Sequence, residues 1–301
     1  MFRYSVYGLI VQSDLELRGL RVIASSLAAA DVDVRCMPAA LDAEHANGNW
    51  RRLEPQQSHL VWDGVGSFLI QDGARIHYEP ANEVAVGAVS QAVLGPAMGL
   101  LLQQRGLVPL HASAMAINGA AVAIAGDSGV GKSTTAHALH ARHHVLVTDD
   151  IAALSCDHGQ VTIRPGHAAL RLWPDSLVRV DVNPAAHQRL RADTQKRRVD
   201  LSSGVATEPL CLASFVVLCD GDEERLERLS APHAAFELLR HFYYPELTGA
   251  VVSPSNLLQQ CGDLAERLAV YRLHRRKMED AIDGMVTLIE SCAEPRMPES
   301  S

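Results

Sequence analysis

The residues with the plainest chemical potential are Gly126-Asp127-Ser128-Gly129-Val130-Gly131-Lys132-Ser133, with Thr134 next. The spacing is G-x-x-x-x-G-K-S, a phosphate-binding P-loop. Glycines let successive backbone N–H groups turn toward a polyphosphate, and the positive end of a following helix adds to the attraction. Lys132 suits the β- and γ-phosphate oxygens, and the Ser133 hydroxyl suits Mg²⁺. The run from Gly126 to Thr134 is therefore expected to hold a nucleotide, with Lys132 also serving catalysis. The Gly-Asp-Ser-Gly tetrapeptide alone resembles the nucleophile region of some serine proteases. The Val-Gly-Lys-Ser continuation argues instead that Ser128 is part of the loop's geometry.

Asp149-Asp150 follow an apolar run after the P-loop helix, where the metal-binding acid of a P-loop fold belongs. Neighbours at a strand end point to opposite faces, so one carboxylate can face the metal and the other an acceptor hydroxyl. A lone metal acid serves an ATPase, whereas a second acid is what a kinase needs to orient or deprotonate an alcohol. Either aspartate alone could instead cap the following segment. His111 starts a strand joined by a hairpin to the P-loop strand, which would set it beside the phosphate site. A histidine at a strand start is otherwise more often structural than catalytic.

Weaker candidates lie downstream. Lys196-Arg197-Arg198 end a polar, basic loop read over Arg191 to Arg198. They suit contact with phosphate or an acidic peptide, and equally a solvated charge run. Arg171 and Trp173 are either lining for a substrate pocket or ordinary strand residues. His137, His140, His143 and His144 have spacing that permits metal binding, but adjacent exposed histidines are the better reading. His241-Phe242-Tyr243-Tyr244-Pro245 reads as a helix end with aromatic packing and no chemistry.

These residues sit in a chain of 301 with 48% hydrophobic and 21% charged content, enough for a packed core. The net charge of −8 argues against broad nucleic-acid binding. Six cysteines without a C-x-x-C pair, and no apolar signal segment at the start, fit a reducing cytoplasm. The apolar stretches Val93 to Leu102 and Ala112 to Ala125 are interrupted and too short to span a bilayer, so no membrane partner is expected.

The positioning elements are read from periodicity. Residues 1 to about 80 show short strands and turns, with helical readings over Val22 to Ala30 and part of Leu41 to Arg52. Asn82 to Arg105 is helical, with a kink at Gly95-Pro96 and a cap at Gly106. Leu110 to Ile117 reads as one strand, Asn118-Gly119 as a hairpin turn, and Ala121 to Ala125 as a buried strand entering the P-loop. Ser133 to Arg142 is a helix and Val145 to Thr148 a strand. Val161 to Ile163, Ala168 to Leu172, Leu210 to Leu218 and Val270 to Leu273 read as further strands. His233 to Phe242, Ser255 to Leu268 and Lys277 to Ser291 read as helices. Three parts are expected: an α+β module over 1–82 with a peptide-substrate or interaction role, a P-loop kinase domain over 83–292, and a tail over 293–301.

Leu110-His111-Ala112, the hairpin, the P-loop and Val147-Thr148-Asp149-Asp150 together resemble the core of HPr kinase/phosphorylase, a bacterial P-loop serine kinase. The resemblance runs from about Gly106 to Leu154. It implies an α/β fold with a P-loop domain of the HPr kinase-like, PEP carboxykinase-like type, and ATP and Mg²⁺ as cofactors. It also implies roles by position: His111 near the transferred phosphate, Asp149 as catalytic base, and Asp150 with Ser133 at the metal. The hexamers of that family raise a homo-oligomer as an expectation. Enzymes that phosphorylate HPr carry a glycine-rich, glutamate-containing signature downstream. Here the region Ile163 to Pro174 reads IRPGHAALRLWP, without glutamate.

The layout is closer to HPr kinase-like proteins found with peptide natural-product genes, including lasso-peptide tailoring kinases. The similar features are Tyr4-Ser5-Val6-Tyr7-Gly8-Leu9, the Leu-Arg-Leu-Trp-Pro segment and the Lys-Arg-Arg run. Such kinases phosphorylate a serine, typically at the C-terminus of a precursor peptide. The expectation is thus a serine kinase acting on a peptide or protein, with His111 hydrogen-bonding Asp149 or the phosphoryl oxygens. An HPr-type kinase/phosphorylase, a small-molecule kinase and a non-catalytic nucleotide sensor remain as alternatives.

Overall fold

The structure is a computed structural model; it describes residues 1–23, 28–37, 50–157, 159–167, 169–179, 183, 185, 195–201, 204–244, 252–276 and 282–294. Two compact units emerge, Met1–Pro109 with Tyr243–Asn256, and Leu110–Phe242 with Leu257–Ser301. The division therefore falls at Pro109, beyond the helical segment, and not at residue 82.

In the first unit seven strands form one sheet: Phe2–Val6 (β1), Leu9–Ser13 (β2), Val32–Cys36 (β3), Trp50–Leu53 (β4), Gln57–Trp62 (β5), Gly66–Gln71 (β6) and Arg75–Pro80 (β7). Their order is β1-β2-β3-β7-β6-β5-β4. The alternation at Tyr4, Val6, Leu9 and Val11 places all four side chains in the core. Trp50–Leu53 is a strand, where part of Leu41 to Arg52 was read as helix; residues 41–49 lie outside the described set. Val22 forms a bridge to Tyr4, and residues 24–27 of the other helical reading are likewise outside it.

The helical run of the first unit comprises Val86–Ala92 (α1), a wider turn over Val93–Ala97, and Met98–Gln104 (α2). The widening has a local cause. Gly95 leaves helical geometry (φ −99°, ψ −106°) and Pro96 has no N–H to give. Gly106, at φ +78°, ends the run: its N–H reaches Gln103 O at 2.8 Å, and Leu107 N–H reaches Leu102 O at 3.0 Å. The run Val86–Gln104 has the length and hydropathy of a membrane span, yet 78% of that window is buried inside the fold. Its apolar character thus serves packing.

In the second unit the strands are Val108–His111 (β8), Ser113–Ile117 (β9), Ala120–Gly126 (β10), Val145–Thr148 (β11), Ile151–Asp157 (β12), Gln160–Arg164 (β13), Ala169–Leu172 (β14), Arg197–Asp200 (β15), Leu210–Asp220 (β16), Arg225–Arg228 (β17) and Ala269–Arg275 (β18). The chain passes from the first unit to the second within β8. The remaining helices are Lys132–Ala141 (α3), Pro174–Arg179 (α4), Ala231–Arg240 (α5), Pro254–Arg267 (α6) and Ile282–Ser291 (α7). Among the described residues the main sheet runs β11-β9-β10-β16-β13-β12-β8, with β18 on β16 and β17 on β18, while β14 and β15 form a separate ribbon.

Two sequence readings change here. Leu110 to Ile117 is two strands, because the chain breaks at Ala112: β8 pairs with β12, while β9 pairs with β10 and β11. The basic segment is not all loop, since Arg197–Asp200 pairs with Ala169–Leu172; residues 191–194 lie outside the described set. The hairpin turn holds, with Asn118 at φ +52° and Gly119 at φ +87°, the left-handed pair that joins β9 to β10.

β11, β10, β16 and β18 all run the same way, β10 and β16 being direct parallel neighbours. Ala121 to Ala125 are wholly buried, as a central strand covered on both faces requires. Met115, Ile117, Val122, Ile124, Leu139, Leu146, Val216, Leu218, Val286 and Ile289 form the core between sheet and helices. Each such side chain contributes roughly 1.5–3 kcal/mol by leaving water. That core holds the P-loop at the carboxyl end of β10.

Gly99 tests the packing of the first unit. Alanine at a helical glycine ordinarily stabilises by about 1 kcal/mol. Here the added Cβ would stand 2.7 Å from Cδ1 of the buried Tyr243 ring. Overpacking of this kind costs about 1–3 kcal/mol. Gly99→Ala is therefore expected to lower the melting temperature by several degrees in calorimetry, and a rise would show that the ring yields freely.

Candidate functional site

The P-loop leaves β10 at Gly126, with φ +142°. A Cβ there would lie 2.7 Å from both Leu218 O and Val130 Cγ1, so only glycine lets the loop pack against β16. Gly131 caps α3 in a left-handed conformation, φ +107°, and turns the loop into the helix. Val130 packs its side chain on the core. Asp127 is 78% exposed and pairs with Arg240 of α5 at 3.0 Å. Lys132 Nζ donates to Gly126 O at 2.7 Å and to Asp127 O at 3.2 Å, within its own loop. Burial lowers the Lys132 pKa, and Asp149 opposes that shift.

Asp149 is only 2% exposed. Its carboxylate accepts from Ser113 Oγ at 2.5 Å, from Ser133 Oγ at 3.2 Å to each oxygen, and from Arg171 N–H at 3.0 Å. β9, α3, β11 and β14 thus converge on one side chain. Desolvation raises its pKa; the Ser113 hydrogen bond and the Arg171 charge pull the other way. Asp150 is different. Its backbone has φ +91°, so strand alternation does not continue through it. Its carboxylate pairs with Arg171 Nη1 at 2.8 Å and faces His111 Nδ1 at 3.4 Å. His111 Nδ1 also lies 3.2 Å from Asp150 O.

His111 is held from behind by its backbone N–H, which donates to His241 O at 2.7 Å. Loss of solvent lowers its pKa, and the Asp150 carboxylate opposes that shift. Asp149 thus meets the Ser133 hydroxyl, and His111 Nδ1 lies beside Asp150.

A cleft open to solvent gathers His111, Ser113, Ser128, Gly129, Gly131, Lys132, Ser133, Thr134, Asp149, Asp150, Arg171, Trp173 and Lys196. Lys196 Nζ lies 5.3 Å from the Trp173 ring centre, a cation–π arrangement. Arg197 does not join them. It pairs in register with Leu172, whereas Arg171 pairs with Arg198. Leu170, Leu172 and Val199 point to the core, so Arg197 shares their side of the ribbon. Ser113 went unnoticed in the sequence, although a hydroxyl two residues from His111 in an apolar strand was the available signal. Among the histidines on and after α3, His140 Nδ1 lies 3.1 Å from His144 O and His144 Nε2 lies 2.9 Å from Glu290 Oε1, so these rings are tied into the fold.

Among the described residues no group of three or more His, Cys, Asp or Glu could hold a metal alone. Ser133 beside Asp149 still fits Mg²⁺, which commonly takes one or two protein oxygens and completes its shell with phosphate and water. The glycine turns and Lys132 likewise fit a polyphosphate.

A family described as "HPr Serine kinase C-terminal domain" matches residues 106–169. Two curated proteins named HPr kinase/phosphorylase, from two strains of Treponema pallidum, one of them the Nichols strain, are 44% identical over 59 residues. That alignment covers 20% of this chain and spans 18% of the length of those relatives. A solved structure, the Hpr(Ser) kinase/phosphatase from Coxiella burnetii, aligns over 61% of this chain and 92% of its own, at 14% identity and a TM-score of 0.33. The local match spans β8 to β13, the segment that supplies His111, the P-loop and both aspartates.

His241 makes the support of His111 testable. It is 6% exposed, and burial depresses its pKa to about 4. Glu237 Oε2, 3.7 Å away, opposes that shift without cancelling it. Between about pH 6.5 and 4 the unfolded chain binds a proton that the folded chain does not, so stability falls on acidification through that window. The expected loss from this group between pH 6.5 and 5 is about 2 kcal/mol. Urea titrations of His241→Gln should show a correspondingly flatter pH dependence, and an unchanged slope would contradict the assignment.

Proposed function

We propose that this chain is an ATP- and Mg²⁺-dependent serine kinase whose acceptor is a peptide, with the C-terminal serine of a lasso-peptide precursor as the substrate class. One observation carries the reading: a P-loop lysine, a metal-type Ser133–Asp149 pair and a second acid, Asp150 with His111, share one cleft. The local match to a serine kinase domain supports the same chemistry. A nucleotide sensor has no need of the second acid.

Gly126 to Thr134 would hold the phosphates, and Ser133 with Asp149 the metal. Mg²⁺, when bound, neutralises charge on the phosphate oxygens. Asp150 takes the proton of the acceptor hydroxyl while that oxygen bonds to phosphorus and the bond to the departing nucleoside diphosphate breaks. His111 holds Asp150 in place, and Arg171 must yield its ion pair for the acid to act. Lys196 on Trp173, with Arg171, gives the cleft mouth a positive side in an acidic chain. That charge suits a carboxylate next to the acceptor hydroxyl, as at a C-terminal serine.

The test is transfer from radiolabelled ATP to synthetic peptides ending in serine, as free acid and as amide. Transfer to the free acid is expected to exceed that to the amide by about tenfold, the worth of one charge-assisted contact. Asp150→Asn should lower turnover by about a hundredfold or more, the scale of general-base loss, with the Mg²⁺ requirement unchanged. Asp149→Asn should raise the Mg²⁺ concentration needed for half-maximal rate. No transfer by the wild-type protein, or full turnover by Asp150→Asn, would defeat the mechanism.

A further inference from the structure

The rim that carries the P-loop extends beyond the cleft. Asp149 follows β11, the P-loop follows β10, Asp220 ends β16 and Arg275 ends β18. Because these strands run in parallel, all four features lie along one edge of the sheet. The two acids stand on the β11 side of the P-loop, and Arg275 stands on the opposite side, two strands away.

Arg275 is placed against the loop itself. Its Nη1 lies 3.8 Å from where a Cβ on Gly131 would stand. Its Nη2 is 3.4 Å from Oδ1 of Asp220, its partner in register on β16. Its Nε is buried without a hydrogen-bond partner among the described residues. The Asp220 contact holds the guanidinium beside the loop.

A transferable phosphate must lie where Asp150 and His111 meet the acceptor. The rest of a nucleoside triphosphate then leads away from those acids, toward β16 and β18. We infer that Arg275 is the nucleoside-side contact of the site, its guanidinium lying over the base while Asp220 sets its orientation. The inference rests on the nucleotide-binding part of the function proposed above. A guanidinium suits this position because its flat, weakly hydrated face stacks on π-systems, which an ammonium does not do as well. No motif announces it, since it is a single arginine at a strand end far from the P-loop in sequence.

Calorimetric titration with Mg·ATP and with Mg·tripolyphosphate separates the possibilities, because the second ligand has phosphates and no nucleoside. The wild-type protein is expected to bind ATP more tightly. Arg275→Ala should weaken ATP binding about tenfold and leave tripolyphosphate binding unchanged, so that the two affinities converge. Arg275→Lys, which keeps the charge, should restore less than half of that loss on a logarithmic scale. Should the alanine variant fail to fold in a thermal melt, the lysine variant carries the same comparison. An unchanged preference for ATP in the folded variant overturns the inference, and so does equal weakening of both ligands, which would make Arg275 a phosphate contact. Failure of the wild-type protein to bind either ligand overturns the nucleotide reading itself.

Discussion

The second unit is organised around a buried carboxylate. Asp149 is sealed from water, and a charge in that position is tolerated only if donors surround it. Ser113, Ser133 and the Arg171 N–H supply them, each from a different element. Removing one such donor typically leaves a penalty of about 1–3 kcal/mol. The same contacts therefore fix the spacing between the P-loop helix, the hairpin strand and the β14–β15 ribbon. Burial still outweighs the donors, so the carboxyl stays harder to ionise than an ordinary aspartate.

Both aspartates lie past the end of β11 at Thr148, and Asp150 turns through a positive φ. That turn brings its carboxylate toward His111 and Arg171. The break at Ala112 performs the matching task on the other side. It separates β8 from β9, so that His111 and Ser113, two residues apart, serve different aspartates.

This explains what was readable in the sequence. The P-loop, the Asn118-Gly119 turn, the kink at Gly95-Pro96 and the cap at Gly106 are local features, decided by φ and by hydrogen bonds between near neighbours. They were visible without tertiary knowledge. The surroundings of Asp149 and Asp150 were not, because the positive φ at Asp150 is set by tertiary contacts and not by a turn motif such as Asn-Gly. Arg197 and Arg198 were equally undecidable while Arg191 to Arg198 read as loop: only pairing with β14 gives them a parity, and that parity turns Arg197 inward with Leu172. The limit of the first unit was hidden for a similar reason. An apolar helix shows that it must be buried, but not against which sheet.

The charge distribution limits what the cleft can accept. The chain as a whole carries −8, yet Lys132, Arg171 and Lys196 face one opening against Asp149 and Asp150. Part of that positive charge is already spoken for, since Arg171 holds Asp150 and Lys132 bonds its own loop carbonyls. A polyphosphate would draw Lys132 away from those carbonyls. An acceptor that displaced Arg171 from Asp150 would free the acid when the hydroxyl arrives. With Asp150 as the base proposed above, an acceptor offering an anion to Arg171 would release it. Selectivity for an anionic acceptor would thus rest on the same 2.8 Å contact.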